Sequence, residues 1–368
     1  MENKKITIIN LRAKPIKGGQ EATLNEIITG IKNDYEITYI GHKSDIDEDN
    51  NVNIIEPFTK LFYLLPIKIG FSKILKIKIL RVLFLKKLRI KCDLLIVNGK
   101  SDYTIVNNNF RYNSILIIKH GLFKKPYPDI LIKNKKFKIV TLNEIERKDL
   151  IKIYGEKNLV TIRTSIKQKE NSNEPFEKYR EINNITKDTF LIVSIGRLED
   201  KQKNISLAIK SMRELAKIKN NFIYIIIGNG KDKNYYQKLI KKLKLGNFIR
   251  LVGRISDEEK EEILKTANLL LITSKWETLG LTMVEAFKHD IPVLTTKTNG
   301  ALDIIKDSYN GFFAEYDPND IAKKIYYVSN MPKEKLSILL KNAKKTSELF
   351  MYENMIISYK NVIESLIN

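Results

Sequence analysis

The sequence predicts an α/β protein made of two consecutive domains, each with a parallel sheet covered by helices. Short apolar runs alternate with helical segments in both halves, and 368 residues exceed one ordinary hydrophobic core. A polar, charged stretch without apolar periodicity, residues 167–188, separates the halves. We therefore expect a first domain over 1–166, a linker over this stretch, a second domain over 189–346, and a helix over about 347–368 that returns to the first domain.

The composition is that of a soluble globular protein with a strong basic excess. Hydrophobic residues make up 43% and charged residues 29%, and the formal net charge is +22. One cysteine and three histidines exclude a disulfide framework and a histidine-rich metal site, which fits a reducing cytoplasm. The first residues lead directly into a predicted strand, and no uncharged apolar run reaches about 18 residues, so we expect neither a signal peptide nor a membrane span. The excess predicts an anionic partner: nucleic acid, an anionic membrane or a phosphorylated substrate.

The first half reads as a series of buried strands joined by loops and helices. Apolar runs predict strands at 5–10, 35–40, 93–98, 114–119, 137–142 and 160–162. Helices are predicted near 21–31 and 144–154. The pair Gly18-Gly19 lies between the first strand and the first helix, where it would let backbone approach a ligand; a plain turn is the alternative. His120-Gly121 directly follows a strand, at the end where such sheets bind ligands, although a lone histidine is more often structural.

The segment from Lys60 to Lys91 is the most unusual part of the first half. It carries ten basic residues, no acidic one, and many interleaved Leu, Ile and Phe residues. This pattern is typical of a surface that lies on an anionic bilayer. The alternative is an amphipathic helix packed on its own domain with a solvated basic face. We predict membrane or acceptor contact for five of its basic residues, Lys68, Lys73, Lys76, Lys78 and Arg81.

The second half repeats the alternation and gathers ligand-suited residues after its strands. Strands are predicted at 190–195, 222–227, 248–252, 268–273 and 291–295. Arg197 and Lys203 follow the first of these and suit a diphosphate. Gly228 and Gly230 follow the second, and Asn299 to Asp303 forms another glycine loop after the fifth. Because the carboxyl ends of parallel strands share one edge, the features are expected to meet there.

The stretch from Ser274 to Phe287 carries the strongest single signal. It joins a buried strand to a helix through Gly280, so a helix N-terminus faces the same edge and suits a phosphate. Glu277 lies in the loop and Glu285 on the helix, and carboxylates beside a diphosphate suit hydroxyl groups of a sugar or ribose. Alternatively, both are ordinary solvated charges.

Together these motifs resemble the retaining glycosyltransferases of group 1, or family 4, which have the GT-B fold of two Rossmann-like domains facing across a cleft. Glu277 and Glu285 match the family's Glu-x7-Glu element, and Gly196-Arg197-Leu198 with Lys203-Asn204 matches its Gly-Arg-Leu…Lys-Asn element. Gly18-Gly19-Gln20-Glu21 looks like its glycine loop, and His120-Gly121 like its His-Gly. The resemblance covers nearly the whole chain and is strongest over 192–311.

The resemblance implies specific roles. Arg197 and Lys203 would hold the donor diphosphate and stabilise the departing nucleotide, and Glu285 would take the ribose hydroxyls. Glu277 and His120 would contact the transferred sugar, and backbone near Gly228 and Arg254 would recognise the base. Further donor contacts would come from the glycine loop and the amides of the helix N-terminus, at Gly18, Gly19, Thr278, Leu279, Gly280 and Leu281. The family needs no divalent metal, so no metal ligands and no cofactor are expected beyond the nucleotide-sugar substrate.

Three motifs depart from the family pattern. Arg163-Thr164-Ser165 stands where the family often has Pro-Asn-Gly, and the loop Asn299-Gly300-Ala301-Leu302-Asp303 has a shorter acid than usual. The spacing from Leu198 to Lys203 is one residue longer, which leaves Lys201 as an alternative cation. These departures put loop geometry and sugar preference in doubt rather than the activity class.

The sequence therefore predicts a cytoplasmic retaining glycosyltransferase, peripheral on the inner face of the cell membrane. It would move a sugar from a nucleotide-diphosphate donor, with UDP the expected nucleotide, to a glycan or lipid-linked acceptor in cell-surface polysaccharide synthesis. Within the same fold, a nucleotide-sugar epimerase or a transferase with a soluble acceptor is the alternative. A non-enzymatic nucleic-acid-binding protein would explain the charge but not the residues at the strand ends.

Overall fold

The computed structural model describes residues 4–10, 19–41, 51–56, 90–99, 110–119, 135–166 and 178–368. The chain divides into two compact units. The first is Met1–Ser165 together with Tyr352–Asn368, and the second is Ile166–Met351. Each unit is a parallel sheet with helices, so the predicted α/β class is confirmed.

The first unit is built on a seven-stranded parallel sheet of described strands. The strands are β1 (Lys5–Asn10), β2 (Glu36–Gly41), β3 (Val52–Ile55), β4 (Ile90–Asn98), β5 (Phe110–Ile118), β6 (Lys136–Thr141) and β7 (Leu159–Thr161). They lie in the order β3-β2-β1-β4-β5-β6-β7. The order changes direction between β1 and β4, and parallel α/β sheets bind ligands at the carboxyl ends of the strands at such a point.

Continuous apolar runs make these strands because both faces of the sheet are covered. Leu94, Leu95, Ile96 and Val97 of β4 are all fully buried. Three described helices belong to the unit: α1 (Gly19–Ile31), α2 (Glu144–Tyr154) and α12 (Tyr352–Ile367). The short β3 was not predicted.

The C-terminal helix packs in the core of the first unit, as predicted. Tyr359 and Ile363 of α12 are buried in the same cluster as the strands β1 and β4. Our prediction of one helix from residue 347 was wrong in its start, because Ser347 belongs to the preceding helix, which ends at Glu348. The break lets the buried ring of Phe350 insert before α12 begins at Tyr352.

The second unit is built on a six-stranded parallel sheet. The strands are β8 (Phe190–Ile195), β9 (Phe222–Ile227), β10 (Ile249–Gly253), β11 (Leu269–Ile272), β12 (Val293–Thr296) and β13 (Phe312–Ala314). Their order is β10-β9-β8-β11-β12-β13, so the direction changes between β8 and β11. Of these, only the three-residue β13 was not predicted.

Nine helices cover this sheet in the continuous stretch 178–351. They are α3 (Lys178–Ile182), α4 (Asp200–Lys203), α5 (Ile205–Leu215), α6 (Lys233–Lys242), α7 (Asp257–Thr266), α8 (Leu281–Lys288), α9 (Asn299–Ile304), α10 (Pro318–Ser329) and α11 (Lys333–Glu348). Helix α3 lies inside the stretch that we predicted as linker, and its Tyr179 packs with Ile185 and Ile225 in the core of this unit. No helix within the described parts of the chain is both long and apolar enough to cross a bilayer.

Candidate functional site

Lys203 and Glu277 meet at the point where the strand order of the second sheet changes direction. Lys203 follows β8 and Glu277 follows β11, the two strands on either side of this point. The Lys203 ammonium donates to Glu277 Oε1 over 2.5 Å, and the Ser274 hydroxyl donates to the same oxygen over 2.7 Å. The Lys203 and Glu277 side chains are 20% and 12% exposed. A partly buried charge pair therefore occupies the crevice where parallel α/β sheets bind ligands.

The main chain fixes Lys203, rather than Lys201, at this crevice. Residues 200–203 form the single turn α4, and Asn204 ends it in the left-handed conformation at φ 50°. The Thr273 hydroxyl, at the end of β11, donates to the carbonyl oxygens of Lys203 and Asn204. Lys201 is exposed on the same turn. The loop after β8 thus contains a helical turn that directs Lys203 toward Glu277.

Arg197 lies at the open rim of the site. Its side chain is 65% exposed, and its guanidinium is 3.9 Å from Glu199 and 3.4 Å from the amide oxygen of Gln202. Glu199 is held mainly by Lys231 at 2.9 Å, whose hydrogen bond lowers the pKa of this carboxyl. Since an exposed arginine with loose contacts can turn without losing a buried bond, Arg197 can reach an arriving anion.

Two of the predicted glycines are required by contact between loops. Gly228 has φ +143°, and a Cβ there would lie 1.8 Å from the carbonyl oxygen of Gly196. A Cβ on Gly230 would lie 2.4 Å from the Leu198 carbonyl oxygen. The loops after β8 and β9 therefore pack directly on each other, which was not part of the ligand-approach argument from the sequence. This contact supports the segment that carries Arg197.

The loop before α8 presents the start of that helix at the same edge. Gly280 adopts φ 67°, and no side chain caps the helix that begins at Leu281. The main chain of Glu277 accepts a hydrogen bond from Gly300 N over 2.9 Å, and a Cβ on Gly300 would lie 2.9 Å from the backbone of Leu279. Helix α9 thus packs closely on the loop, and the partial positive charge of α8 lies beside Glu277.

The second carboxylate of the motif contacts the neighbouring helix α7. Glu285 Oε1 lies 3.3 Å from the ammonium of Lys260, with both side chains about one quarter exposed. One turn further, His289 Nε2 lies 3.1 Å from Glu261. Burial is the main cause that lowers the pKa of His289, which favours its neutral form. The two contacts hold α8 against α7. The contact with Lys260 uses one carboxylate oxygen of Glu285, Oε1.

The remaining predicted residues are only partly covered by the described chain. Arg254 directly follows β10 and is exposed, and Gly19 begins α1. Gly18, His120, Lys68, Lys73, Lys76, Lys78 and Arg81 lie outside the described residues. The predicted contacts of these residues therefore stay predictions.

Sequence reasoning missed several partners of the site. Ser274 holds Glu277, Lys260 holds Glu285, and the Tyr316 hydroxyl donates to the carbonyl oxygen of Ser274 over 3.0 Å. Ser274 could have been found, since a serine three residues before an acidic residue in a strand-to-helix loop is a common turn partner. Lys260 and Tyr316 are distant in sequence and belong to no motif.

Buried polar side chains also line the carboxyl ends of the first sheet. Asn98, at the end of β4, donates to Asn10 Oδ1, and Asn10 donates to the Tyr39 hydroxyl, each over 3.2 Å. Lys119 follows β5 and contacts Glu146 of α2 over 3.2 Å, with side-chain exposures of 3% and 2%. Burial raises the pKa of Glu146 although the ammonium of Lys119 lowers it. Buried, hydrogen-bonded polar side chains therefore lie at the carboxyl ends of β1 and β4, where the strand order of the first sheet changes direction.

Comparison with known proteins shows which family the second unit resembles. Residues 175–346 match the family model of the glycosyl transferases group 1. The stretch spans the second sheet, and it includes both members of the Lys203–Glu277 pair and of the Lys260–Glu285 pair. Residues 175–346 are thus similar to the group 1 glycosyltransferases, and the chain has the GT-B fold.

Individual relatives agree with this class. The chain is 35% identical over 192 residues to an uncharacterized glycosyltransferase of Methanocaldococcus jannaschii, covering 50% of this chain and 43% of that protein. It is 29% identical over 169 residues to the alpha-monoglucosyldiacylglycerol synthase of Acholeplasma laidlawii, covering 46% and 42%. The matched stretch therefore spans less than half the length of these curated relatives.

A solved structure matches over the full length. The crystal structure of Anabaena HepE in complex with UDP and glucose superposes with a TM-score of 0.70, covering 99% of this chain and 100% of that one. The two sequences are 17% identical, so the similarity is one of fold.

Proposed function

We propose that this protein is a retaining glycosyltransferase that moves a sugar from a nucleotide-diphosphate sugar to a glycan or lipid-linked acceptor. The observation that carries the proposal is the Lys203–Glu277 pair beside the uncapped start of α8, at the crevice of a group 1 glycosyltransferase domain. Such a crevice offers cations for a diphosphate and a carboxylate for sugar hydroxyls within one hydrogen-bond length of each other.

In this proposal the donor binds along the carboxyl edge of the second sheet. Lys203, Arg197 and the first turn of α8 hold the diphosphate, and Glu285 accepts hydrogen bonds from the ribose. Glu277 binds the sugar, with Thr278, Leu279, Gly280 and Leu281 supplying backbone beside it. Gly228 and Arg254 border the base. UDP is the nucleotide we favour, because HepE, of the same fold, binds UDP.

The chemistry follows from where charge develops. Breaking the sugar–phosphate bond leaves negative charge on the diphosphate and positive charge on the sugar ring. Fixed cations and a helix N-terminus stabilise the first, and the carboxylate of Glu277 lies where it can stabilise the second. As the diphosphate arrives, Lys203 exchanges part of its contact with Glu277 for the phosphate, which frees a carboxylate oxygen for the sugar. His120 stays a predicted sugar contact, as do Gly18 and Gly19 for the donor.

The acceptor in this proposal is part of a cell-surface glycan or is attached to a lipid. The alpha-monoglucosyldiacylglycerol synthase among the relatives makes, by its name, a glycolipid. The ten basic residues of the 60–91 segment suit an anionic membrane surface, so we propose peripheral association with the inner face of the membrane. Liposome flotation with anionic and neutral vesicles tests this part separately.

A panel of UDP-, GDP- and ADP-sugars tests the proposed activity. We expect wild type to bind one of them and to release its nucleoside diphosphate slowly without acceptor, and Glu277→Ala and Arg197→Ala to lose this release. Chromatography of the sugar product separates the alternatives, because an epimerase returns an isomeric nucleotide sugar rather than free nucleotide. Binding to DNA with no binding of any nucleotide sugar contradicts the proposal.

A further inference from the structure

The loop that carries Lys203 is closed by Asp200, a carboxylate to which the proposed function gives no role. Asp200 begins α4, and its side chain reaches the second residue of α5. Its Oδ1 accepts a hydrogen bond from Ser206 N over 2.9 Å, and its Oδ2 accepts one from the Ser206 hydroxyl over 2.8 Å. Lys203 lies inside the ring of residues 200–206 that these bonds close. The position of Lys203 therefore depends on the bridge from Asp200 to Ser206.

A second set of contacts fixes Asp200 to α6. The Tyr236 hydroxyl donates to Asp200 Oδ1 over 3.1 Å, and Asp200 N donates to Asp232 Oδ2 over 2.7 Å. Tyr236 is fully buried. Burial first, and the charge of Asp200 second, raise the pKa of Tyr236, so its phenol remains a protonated donor. Asp200 is thus held to the domain core while its carboxylate holds the start of α5.

Lys203 has a fixed main chain on its other side as well. Its carbonyl oxygen accepts a hydrogen bond from the Thr273 hydroxyl over 3.2 Å, next to the loop that carries Glu277. Asn204, the residue before α5, makes no side-chain cap, so Asp200 also supplies the acceptor for the first turn of that helix. Capping alone needs one acceptor, whereas Asp200 uses both oxygens and its backbone N–H to join three elements around Lys203.

We propose that Asp200 is a positioning residue for Lys203 and sets the place at which the ammonium meets the diphosphate of the donor. This inference rests on the proposed function, because it takes a nucleoside diphosphate as the ligand of Lys203. Asp200 itself does not touch the donor. Its loss lets the ring of residues 200–206 relax, so the ammonium loses its fixed distance to the phosphate oxygens.

Calorimetric titration with a nucleoside diphosphate and the matching nucleoside tests the inference. UDP and uridine are the first pair, followed by the GDP and ADP pairs. We expect Asp200→Ala to weaken diphosphate binding about tenfold and to leave nucleoside binding unchanged. Because Asp200 acts through Lys203, adding Asp200→Ala to Lys203→Met should cause little further loss. Asp317→Ala is the control for the loss of a helix cap, since Asp317 likewise caps a helix, α10, through Asp320 N.

Two milder variants keep the test decisive if Asp200→Ala does not fold. Asp200→Asn keeps the shape of the side chain and an acceptor for Ser206 N, whereas Tyr236→Phe removes only the phenol donor. Each variant should lose diphosphate affinity selectively, by less than Asp200→Ala does. Equal weakening of diphosphate and nucleoside, or additive effects with Lys203→Met, would overturn the inference while the proposed function stands. A wild type that binds no nucleoside diphosphate would overturn the proposed function and this inference with it.

Discussion

The ammonium of Lys203 and the carboxylate of Glu277 lie 2.5 Å apart, although 74 residues separate them in sequence. The contact joins the loops after β8 and β11, the two strands at which the order of the second sheet changes direction. Each group neutralises the other in a partly buried crevice, and we propose that both side chains bind the donor. The pair therefore links the fold of the domain to its proposed chemistry.

Replacing Lys203 should separate its role from that of the neighbouring lysine. We expect Lys203→Met to weaken nucleoside diphosphate binding by about ten- to a hundredfold, because a charge-assisted hydrogen bond contributes about 1.5–3 kcal/mol. Lys201 is an exposed residue two positions earlier on the same turn, and Lys201→Met should bind almost as wild type. Calorimetric titration of both variants compares them directly, and a larger loss in Lys201→Met would reverse our choice of cation.

Gly300 should not tolerate a methyl group. A Cβ at this position would lie 2.9 Å from the backbone of Leu279, in the loop before α8. We expect Gly300→Ala to lower the free energy of unfolding by about 1–3 kcal/mol and to reduce donor binding, because the loop must shift. Gly246→Ala is the matched control, since nothing lies within 4 Å of its Cβ position. Urea unfolding of both variants measures the difference, and equal stabilities would refute the contact.

The left-handed conformation of Asn204 should matter more than its side chain. Asn204 has φ 50° and ψ 40° between α4 and α5. Asn204→Ala should destabilise the protein by about 1 kcal/mol, whereas Asn204→Gly should cost less because glycine adopts this conformation freely. Thermal unfolding ranks the two variants. If alanine proved the milder change, backbone conformation would not be what the position requires.

The buried Glu146 should give stability a specific pH dependence. Burial raises the pKa of this carboxyl above its ordinary value of 4.5. Since the folded state then holds the proton more tightly than the unfolded state, the contribution of Glu146 is fully present below pH 4.5 and is lost as the pH rises through the folded-state pKa. As the pH rises through the folded-state pKa of Glu146, the free energy of unfolding of wild type should therefore fall relative to that of Glu146→Gln. Urea unfolding of wild type and Glu146→Gln from pH 4 upward, in steps of about one pH unit, measures the difference between their free energies of unfolding. A difference that stays constant with pH, or that changes in the opposite direction, would be evidence against a raised pKa.

Replacing both members of the Lys119–Glu146 ion pair by apolar residues should destabilise the protein less than replacing one of them. Loss of one partner leaves a buried charge and should cost about 3–5 kcal/mol, whereas an apolar pair of similar volume is often neutral or stabilising. We expect Lys119→Met to destabilise strongly and the double variant with Glu146→Leu to recover most of the loss. Urea unfolding of the single and double variants measures the recovery. A double variant no more stable than the single one would mean that the pair does more than balance charge.

Much of the fold could be predicted because its signals are local. An apolar run such as Leu94 to Val97 is typical of a buried strand, and this strand was predicted within a few residues. The three-residue β13 and four-residue β3 were missed because strands this short carry little pattern. The break between α11 and α12 depends on the burial of Phe350, which the neighbouring residues in the sequence do not predict.

The candidate site divides in the same way. Four site residues could be predicted because they lie at fixed distances from strands and glycines in the sequence: Glu277, Glu285, Arg197 and Lys203. Their partners Ser274 and Lys260 depend on which loops become neighbours, and that follows from strand order. The choice between Lys203 and Lys201 depended on whether one extra residue forms a bulge or a helical turn, and only the folded chain shows the turn α4.

The configuration of the sugar that leaves the donor tests the central claim most directly. Time-resolved proton NMR of wild type with an α-configured UDP-sugar, or with another α-configured donor found in the panel, follows both donor loss and the first anomer formed. A retaining transferase predicts nucleoside diphosphate together with the α-anomer before mutarotation, and neither product with Glu277→Ala. The β-anomer as first product, or an intact donor with every nucleotide, would contradict the account.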